Sequence, residues 1–221
     1  LCQISNRNMK TRKIRTALYN VLPGEKAHAL MAPRPKYIEG IEGVHPCPPV
    51  NSAILALIVP FENELALPLI KRVNRGKYHG GQIAFPGGKM EKEDADALQT
   101  ALRECHEEIG VPEEKVSILG VLSDIYIPLS NFNITPIVGT TLQLPDFILS
   151  QDEVEKVILV KLRDLFDDRN KTTHSFVRHD HKIIAPGYKI GENFIWGATA
   201  MIIAELEQLM KTNTFNHLGK L

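Results

Sequence analysis

The order of hydrophobic and polar positions predicts a hairpin of two strands followed by an amphipathic helix. Residues 52–60 are almost continuously apolar, which is typical of a strand buried on both faces. After a polar turn at 61–64, residues 65–72 predict the returning strand of the hairpin. Between Asp94 and Ile109 the apolar residues recur at helical spacing, and Gly110 supplies a helix end.

Further periodic segments lie on both sides of this centre. A first helix is expected at 11–21, where Pro23 and Gly24 stop it and an extended arm follows. The remaining predicted elements are strands at 82–85, 116–126, 134–142 and 154–160, a short helix at 162–166, a hairpin within 174–190 and a final helix at 198–210. Strands around one amphipathic helix, with another helix at the end, predict an α/β fold: an α/β/α sandwich with a mixed β-sheet.

The overall charge gives no indication of a polyanionic partner. Lys plus Arg and Asp plus Glu each number 26, so neither nucleic acid nor an anionic membrane is an expected partner. Basic residues are nevertheless concentrated at the beginning, because residues 1–40 contain eight Lys or Arg against two acids, Glu25 and Glu39. Two interpretations remain open for this segment: a solvated basic arm, or a surface that steers phosphate-bearing ligands.

Cysteine usage and hydropathy bear on the cellular compartment. Cys2, Cys47 and Cys105 form no C-x-x-C pair, and their odd number argues against a disulfide framework or a zinc site. The longest apolar runs, at 53–61 and 195–204, are too short to span a bilayer. We therefore expect a reducing, cytoplasmic location.

The segment 103–108, with the sequence RECHEE, carries the candidate chemistry. At about 100° per residue, Glu104, Glu107 and Glu108 fall on one helix edge beside the apolar face. Like charges at this spacing repel one another, so a hard cation such as Mg²⁺, Mn²⁺ or Ca²⁺ would be attracted to this edge. Arg103 lies one turn before Glu107 and is able to orient its carboxylate. The alternative is an ordinary solvated acidic helix face.

Glycine-rich and basic segments precede this helix. In the FPGG segment at 85–88, adjacent glycines let the backbone approach a phosphate or a metal ion closely. The loop that follows the second strand contains four side chains able to contact phosphate, namely Arg72, Arg75, Lys77 and His79. A surface loop without a ligand is the alternative for this segment.

Taken together, these residues resemble the signature of the Nudix hydrolases, G-x5-E-x7-R-E-U-x-E-E-x-G-U, in which U is a bulky apolar residue. Matching positions are held by Gly88, Arg103, Glu104, Cys105, Glu107, Glu108, Gly110 and Val111. The first acid is Asp94 rather than Glu, eight residues rather than seven separate it from Arg103, and Cys105 is small for its position. The resemblance covers roughly residues 50–205 and implies a Nudix-type α/β/α sandwich. We therefore divide the chain into a basic helix and extended arm at 1–40 and a Nudix hydrolase domain at 41–221.

The stretch before the helix also resembles the coenzyme A diphosphatase branch of this family. Arg72, Gly81 and the FPGG segment are in register with the additional signature of that branch. Lys77 stands where an arginine is expected, and Val73 where a small residue is expected. Further similar segments are 79–84, 132–136 and 195–200.

The resemblance implies a set of functional residues. Metal ligands would be Glu104, Glu107, Glu108 and the backbone at Gly88, with Mg²⁺ or Mn²⁺ as the cofactor. Arg103 would not bind the metal itself but would orient the carboxylates that do. Nudix enzymes place the general base either on the helix, which indicates Glu107, or on a later loop, which indicates Glu153. An ordinary exposed acid is the alternative for Glu153.

The branch implies coenzyme A or acyl-coenzyme A as substrate, with 3′,5′-ADP and (acyl-)4′-phosphopantetheine as products. The basic loop side chains named above would then contact the phosphates, and Phe132 or Tyr126 would pack on adenine unless it belongs to the core. Two alternatives remain open. One is a Nudix pyrophosphatase for ADP-ribose, NADH or a dinucleoside polyphosphate, and the other is a non-catalytic Nudix nucleotide-binding module. A homodimer is a family-level expectation.

Overall fold

The helices and strands follow the predicted order closely. A computed structural model describes residues 11–34, 47–74, 81–178 and 181–215 of the chain. The helices are α1 (11–18), α2 (Glu25–Met31), α3 (Ala97–Ile109), α4 (Leu162–Leu165) and α5 (Gly197–Phe215). The strands are β1 (Val50–Phe61), β2 (Glu64–Arg72), β3 (Ile83–Ala84), β4 (Gly87–Lys89), β5 (Ser117–Val121), β6 (Ile125–Ile127), β7 (Phe132–Thr140), β8 (Val154–Lys161), β9 (Lys171–Arg178), β10 (His181–Ile190) and β11 (Asn193–Trp196).

Within the described ranges, β1 to β8 form one mixed sheet, and β9 to β11 form a smaller antiparallel sheet. β1 and β2 are the predicted hairpin, and their turn residues Glu62 and Asn63 both have positive φ, 45° and 65°. This is the backbone conformation that tight hairpin turns require. β7 runs parallel to β1, whereas the other pairings of the large sheet are antiparallel.

Helices cover both faces of the large sheet, so the predicted α/β/α sandwich is confirmed. Residues of β1 alternate between two hydrophobic clusters, because successive side chains of a strand point to opposite faces. Leu55 and Leu57 belong to the cluster that contains Cys105 of α3, whereas Ala56 and Ile58 belong to the cluster formed with α1, α2 and α5. Burial on both faces explains why β1 is apolar throughout its length.

The strand predicted at 116–126 is divided into β5 and β6. Between them, the N–H of Leu122 donates to the carbonyl of Pro136 (3.0 Å), and Asp124 accepts a hydrogen bond from the hydroxyl of Thr135 (2.7 Å). These local bonds replace regular pairing over 122–124. Neither β4 nor β11 was predicted, and β4 contains two glycines, which have no intrinsic preference for strands.

The extended arm predicted after Pro23 is wrong, because α2 occupies this place. Ala27 and Met31 of α2, together with Ile14 of α1, are almost completely buried. A helix this short gains its stability from tertiary packing rather than from its own propensity. The described part of the basic segment therefore packs on the core, while the domain division at residue 40 lies outside the described residues and stays a prediction. In the described part of the chain, no helix is both long and apolar enough to cross a membrane.

A buried polar cluster fastens α2 to α5. The carboxylate of Glu205, on α5, accepts hydrogen bonds from Nε2 of His28 (2.9 Å), Oγ of Ser123 (2.6 Å) and the N–H of Gly24 (3.0 Å). Burial alone would raise the pKa of Glu205, but these hydrogen bonds outweigh it and hold the pKa below its ordinary value. The cluster therefore stabilises the fold in the state with Glu205 ionised.

Replacing His28 with alanine is expected to lower the free energy of unfolding at pH 7 by about 1–3 kcal/mol, since a buried carboxylate loses a donor. A group whose pKa is lowered by folding contributes stability above its unfolded pKa and loses it as the pH falls through the folded pKa. The difference between wild type and variant should thus shrink in acid. Urea unfolding measures it, with Lys26→Ala, an exposed position of the same helix, as the matched control. Equal stability of wild type and His28→Ala at pH 7 would contradict the role of the cluster.

Candidate functional site

Two caps and a buried apolar face fix the position and rotation of α3. The helix begins at Ala97, later than predicted, because Asp96 has extended backbone and its side chain accepts a hydrogen bond from the N–H of Gln99 (2.9 Å). It ends at Gly110, whose φ of 71° is the left-handed conformation that glycine tolerates. Cys105 and Ile109 are buried against the sheet. The acidic edge of the helix is therefore turned toward the loop and strand that precede it.

Arg103 connects three carboxylates at the beginning of this edge. Its Nε and Nη2 each donate to Asp94 at 2.9 Å. Its Nη1 donates to Glu104 (3.1 Å) and to Glu107 (3.0 Å), and Nη2 also donates to the carbonyl of Lys89 (3.1 Å). The two-point contact with Asp94 fixes the guanidinium plane, so the predicted orientation of Glu107 by Arg103 has a geometric basis.

Asp94 anchors Arg103 in spite of its altered spacing from it. The Asp94 carboxylate is buried and also accepts hydrogen bonds from the hydroxyl of Thr100 (2.9 Å) and the N–H of Glu91 (2.9 Å). The hydrogen bonds from Arg103 hold the pKa of Asp94 well below its ordinary value, in opposition to burial. Sequence reasoning did not identify Thr100, because nothing in its spacing distinguishes it from other polar residues of a helix.

Glu108 is a buried carboxylate with one oxygen hydrogen-bonded and the other facing the guanidinium of Arg72. Its side chain is 1% exposed, and Oε2 accepts a hydrogen bond from the N–H of Gly87 (2.9 Å). Oε1 lies 3.4 Å from Nη1 of Arg72 but receives no hydrogen bond from the described residues. Burial raises the pKa of Glu108 to about 7, although Arg72 and the Gly87 N–H favour the charged form. Additional positive charge beside Oε1 would stabilise this carboxylate.

The backbone of Gly88, on β4, lies close to the carboxylate of Glu104, on α3. A Cβ atom at residue 88 would overlap the Glu104 carboxylate, with Oε2 only 2.6 Å away. Gly88 is held in this place because it pairs with Ala53 of β1. Burial raises the pKa of Glu104, while Arg103 opposes the shift. The absence of a side chain at residue 88 therefore allows the carboxylate to lie against the backbone.

Glu153 reaches the same region from the loop before β8. Its carbonyl accepts a hydrogen bond from the N–H of Val73 (2.9 Å), and its own N–H donates to Ser150 (3.0 Å), whose N–H donates to the carbonyl of Glu108 (3.0 Å). Burial is the largest cause that raises the pKa of Glu104 and of Glu108, and the negative charge of Glu153 raises both further. The exposed Glu153 side chain therefore lies within electrostatic reach of the carboxylate edge.

Of the other residues with predicted substrate contacts, the structure describes Phe132 and Tyr126. Arg75, Lys77 and His79 lie outside the described residues. Phe132 is half-buried at the beginning of β7, where it pairs with β1 and β6. Tyr126 is 41% exposed, and its hydroxyl donates to Asn131 (3.0 Å). For Phe132 and Tyr126, contact with a substrate base stays a prediction.

The donor set of this site suits a hard divalent cation. The Glu104 carboxylate lies against the backbone of Gly88, the Glu107 carboxylate accepts a hydrogen bond from Arg103, and one oxygen of Glu108 is buried without a hydrogen bond. Within the described ranges, no three Asp, Glu, His or Cys side chains are gathered at the spacing of a formed metal centre. Arg103 and Arg72 neutralise the carboxylates instead.

Comparison with known proteins identifies the segment that contains this site. A family model described as the NUDIX domain matches residues 51–179. The uncharacterized Nudix hydrolase NudL of Enterobacter sp. (strain 638) is 34% identical over 161 residues, which cover 71% of this chain and 82% of that protein. NudL of Pectobacterium atrosepticum is 35% identical over 158 residues, covering 71% and 80%. Among solved structures, a NUDIX hydrolase from Nitrosomonas europaea has a TM-score of 0.49 at 20% identity, covering 79% of this chain and 76% of that one.

Proposed function

Because the chain belongs to the Nudix hydrolase family, we propose that it hydrolyses the diphosphate linkage of coenzyme A or acyl-coenzyme A. The products would be 3′,5′-ADP and (acyl-)4′-phosphopantetheine. The observation that supports diphosphate chemistry best is the acidic edge of α3, where Glu104 lies against Gly88 and the buried Glu108 faces Arg72. The choice of coenzyme A is supported by the sequence alone, through Arg72, Gly81 and the FPGG segment.

Glu104, Glu107, Glu108 and the backbone of Gly88 would hold Mg²⁺ or Mn²⁺. When bound there, a divalent cation supplies neutralisation of the diphosphate oxygens and a water molecule of lowered pKa. Arg103 keeps the carboxylates of Glu104 and Glu107 in place through its hydrogen bonds. Such preorganised charge is the main source of rate enhancement in phosphoryl transfer.

In the proposed reaction, the oxygen of a water molecule forms a bond to one phosphorus of the diphosphate. The bond from that phosphorus to the bridging oxygen breaks, and the water proton passes to a carboxylate. Glu107, which is half-exposed beside Arg103, and Glu153, on the loop before β8, are the two candidates for this base. The bridging oxygen leaves with the second phosphate.

A substrate panel tests the proposal. Purified protein with Mg²⁺ or Mn²⁺ is incubated with coenzyme A, acetyl-coenzyme A, NADH, ADP-ribose and a dinucleoside polyphosphate, and mass spectrometry identifies the products. Cleavage of the coenzyme A compounds to 3′,5′-ADP is the expected result. Preference for another compound would assign a different Nudix pyrophosphatase activity, and no cleavage of any compound would favour a non-catalytic nucleotide-binding module.

Cation binding should depend on pH, because a proton and a metal ion compete for the same carboxylates. The pKa of Glu108 is raised to about 7, so its charged form is reduced below that pH. At a Mn²⁺ concentration of about 100 times Kd, the expected stabilisation is about 2.7 kcal/mol, or roughly 5–10 °C in Tm for a chain of this size. We expect this Tm increase at pH 8 and a clearly smaller one at pH 6. Scanning fluorimetry with EDTA blanks at each pH measures it, and an equal increase at both pH values would contradict the assignment.

A further inference from the structure

Two arginines contact the carboxylates of the site, and they are held in different ways. Arg103 donates hydrogen bonds to Asp94, Glu104, Glu107 and the carbonyl of Lys89, as described above. Arg72 approaches Oε1 of Glu108 at 3.4 Å, and this oxygen receives no hydrogen bond within the described part of the chain. The contact between Arg72 and Glu108 is therefore electrostatic and lacks the directional bonds that fix Arg103.

Two hydrogen bonds to the segment before β3 hold the backbone of Arg72, so a change of partner requires movement of the side chain alone. Its N–H donates to the carbonyl of Gln82 (3.0 Å), and its own carbonyl accepts a hydrogen bond from the N–H of Gly81 (2.9 Å). The pairing of β2 with β8 shifts register between Lys71 and Arg72. Such bulges redirect a side chain next to a functional site. Here Arg72 points to Glu108, while Lys71 pairs with the partly exposed Glu155 at 2.7 Å.

The position of Arg72 suits a second partner. Its side chain is 36% exposed, so the guanidinium reaches solvent as well as the buried carboxylate. A guanidinium has several N–H donors in one plane and binds phosphate oxygens in pairs. Loss of the contact between Arg72 and Glu108 would by itself destabilise the protein, because a buried charge without a partner is strongly destabilising. A divalent cation bound at Glu108 would compensate the buried negative charge in place of Arg72.

We propose that Arg72 exchanges partners: it neutralises Glu108 when no divalent cation is bound, and it transfers to a phosphate of the substrate when a cation binds Glu108. This inference rests on the proposed function, and it makes Arg72 a residue that positions the diphosphate. Arg103 does not take part in the exchange, since its bidentate bond to Asp94 holds it. Cation and diphosphate would consequently strengthen the binding of each other, and this coupling is reciprocal.

The test compares wild type with Arg72→Met, and with Lys71→Met as the matched control on the opposite side of β2. Mn²⁺ affinity is measured by electron paramagnetic resonance of the free ion, first alone and then with saturating α,β-methylene-ADP, a diphosphate that resists hydrolysis. The affinity for the analogue is measured by calorimetry at saturating Mn²⁺. Arg72→Lys is included as a variant that keeps a positive charge, and Tm in EDTA shows that each variant is folded.

At pH 8.5, where Glu108 is mostly ionised, Arg72→Met should bind Mn²⁺ alone about tenfold more tightly than wild type and the analogue about tenfold more weakly, within the usual 5- to 150-fold range of coupling between sites. Arg72→Lys should lie between these values, and Lys71→Met should match wild type. Unchanged or weaker Mn²⁺ binding by Arg72→Met would overturn the exchange, as would unchanged affinity for the analogue. Because none of these readouts needs turnover, a failure of the hydrolase proposal would be seen separately, in the substrate panel.

Discussion

The Glu107→Gln variant is expected to lose kcat by about 10²- to 10³-fold, the usual effect of removing one electrostatic contact to the transition state. The amide keeps the shape of the side chain and an oxygen that can accept the hydrogen bond from Arg103, but it removes the negative charge that a cation requires. Glu107 is 54% exposed and contacts Arg103 within its own helix, so the fold should be retained. Turnover at saturating Mg²⁺ and Tm in EDTA are the two measurements.

Glu114→Gln is the matched control for this variant. Glu114 is also exposed, in the short 3₁₀ turn Glu113–Lys115 that follows α3, so the same chemical change is made outside the acidic edge. It should leave both kcat and Tm close to wild type. Full activity in Glu107→Gln would remove the assignment of the α3 edge as the reactive site.

The adjacent glycines of β4 should separate activity from stability. In Gly88→Ala the new methyl group collides with the Glu104 carboxylate, which is the end of a flexible side chain and is able to move aside. We expect kcat to fall at least about 100-fold with little change in the free energy of unfolding. In Gly87→Ala the methyl group meets rigid backbone instead, with Cα of Ile54 at 2.6 Å, at a φ of 153°.

For Gly87→Ala we expect a loss of about 3–5 kcal/mol in the free energy of unfolding, because overpacking and backbone strain add. Gly191→Ala is the control, since Gly191 has a positive φ of 58° but nothing within 4 Å of the added methyl group; it should cost about 1–2 kcal/mol and leave kcat unchanged. Denaturant unfolding and steady-state kinetics measure all three variants. Normal kcat in Gly88→Ala would contradict the placement of Glu104 beside residue 88.

Some features of this protein depend on local pattern and were predictable. The alternation and spacing of apolar residues identified the β1–β2 hairpin, α3 and α5, because strand and helix periods differ and each buries a defined face. The grouping of Glu104, Glu107 and Glu108 on one edge follows from helix geometry alone. Membership in the Nudix family was also readable from sequence, and the family comparison confirms it.

Other features depend on residues that are distant in the chain and were not predictable. α2 exists because α5 supplies Glu205 and an apolar surface, whereas its own sequence suggested an arm. Asp94 anchors Arg103 although the two are separated by one residue more than in the Nudix signature. The loop before α3 folds back, through the hydrogen bond between Glu91 and Asp94, and this brings Asp94 to Arg103.

The sequence by itself determined the periods of the elements, the family and the carboxylate edge, since these depend on neighbours a few residues apart. Only the tertiary structure decided that Glu108 is buried, that Gly87 bonds to it and that Arg72 faces it. Burial and charge pairing depend on how β2, β4 and α3 meet in space. Burial raises the pKa of Glu108 to about 7 against the opposing effects of Arg72 and the Gly87 N–H, while Glu107 on the same edge stays half-exposed.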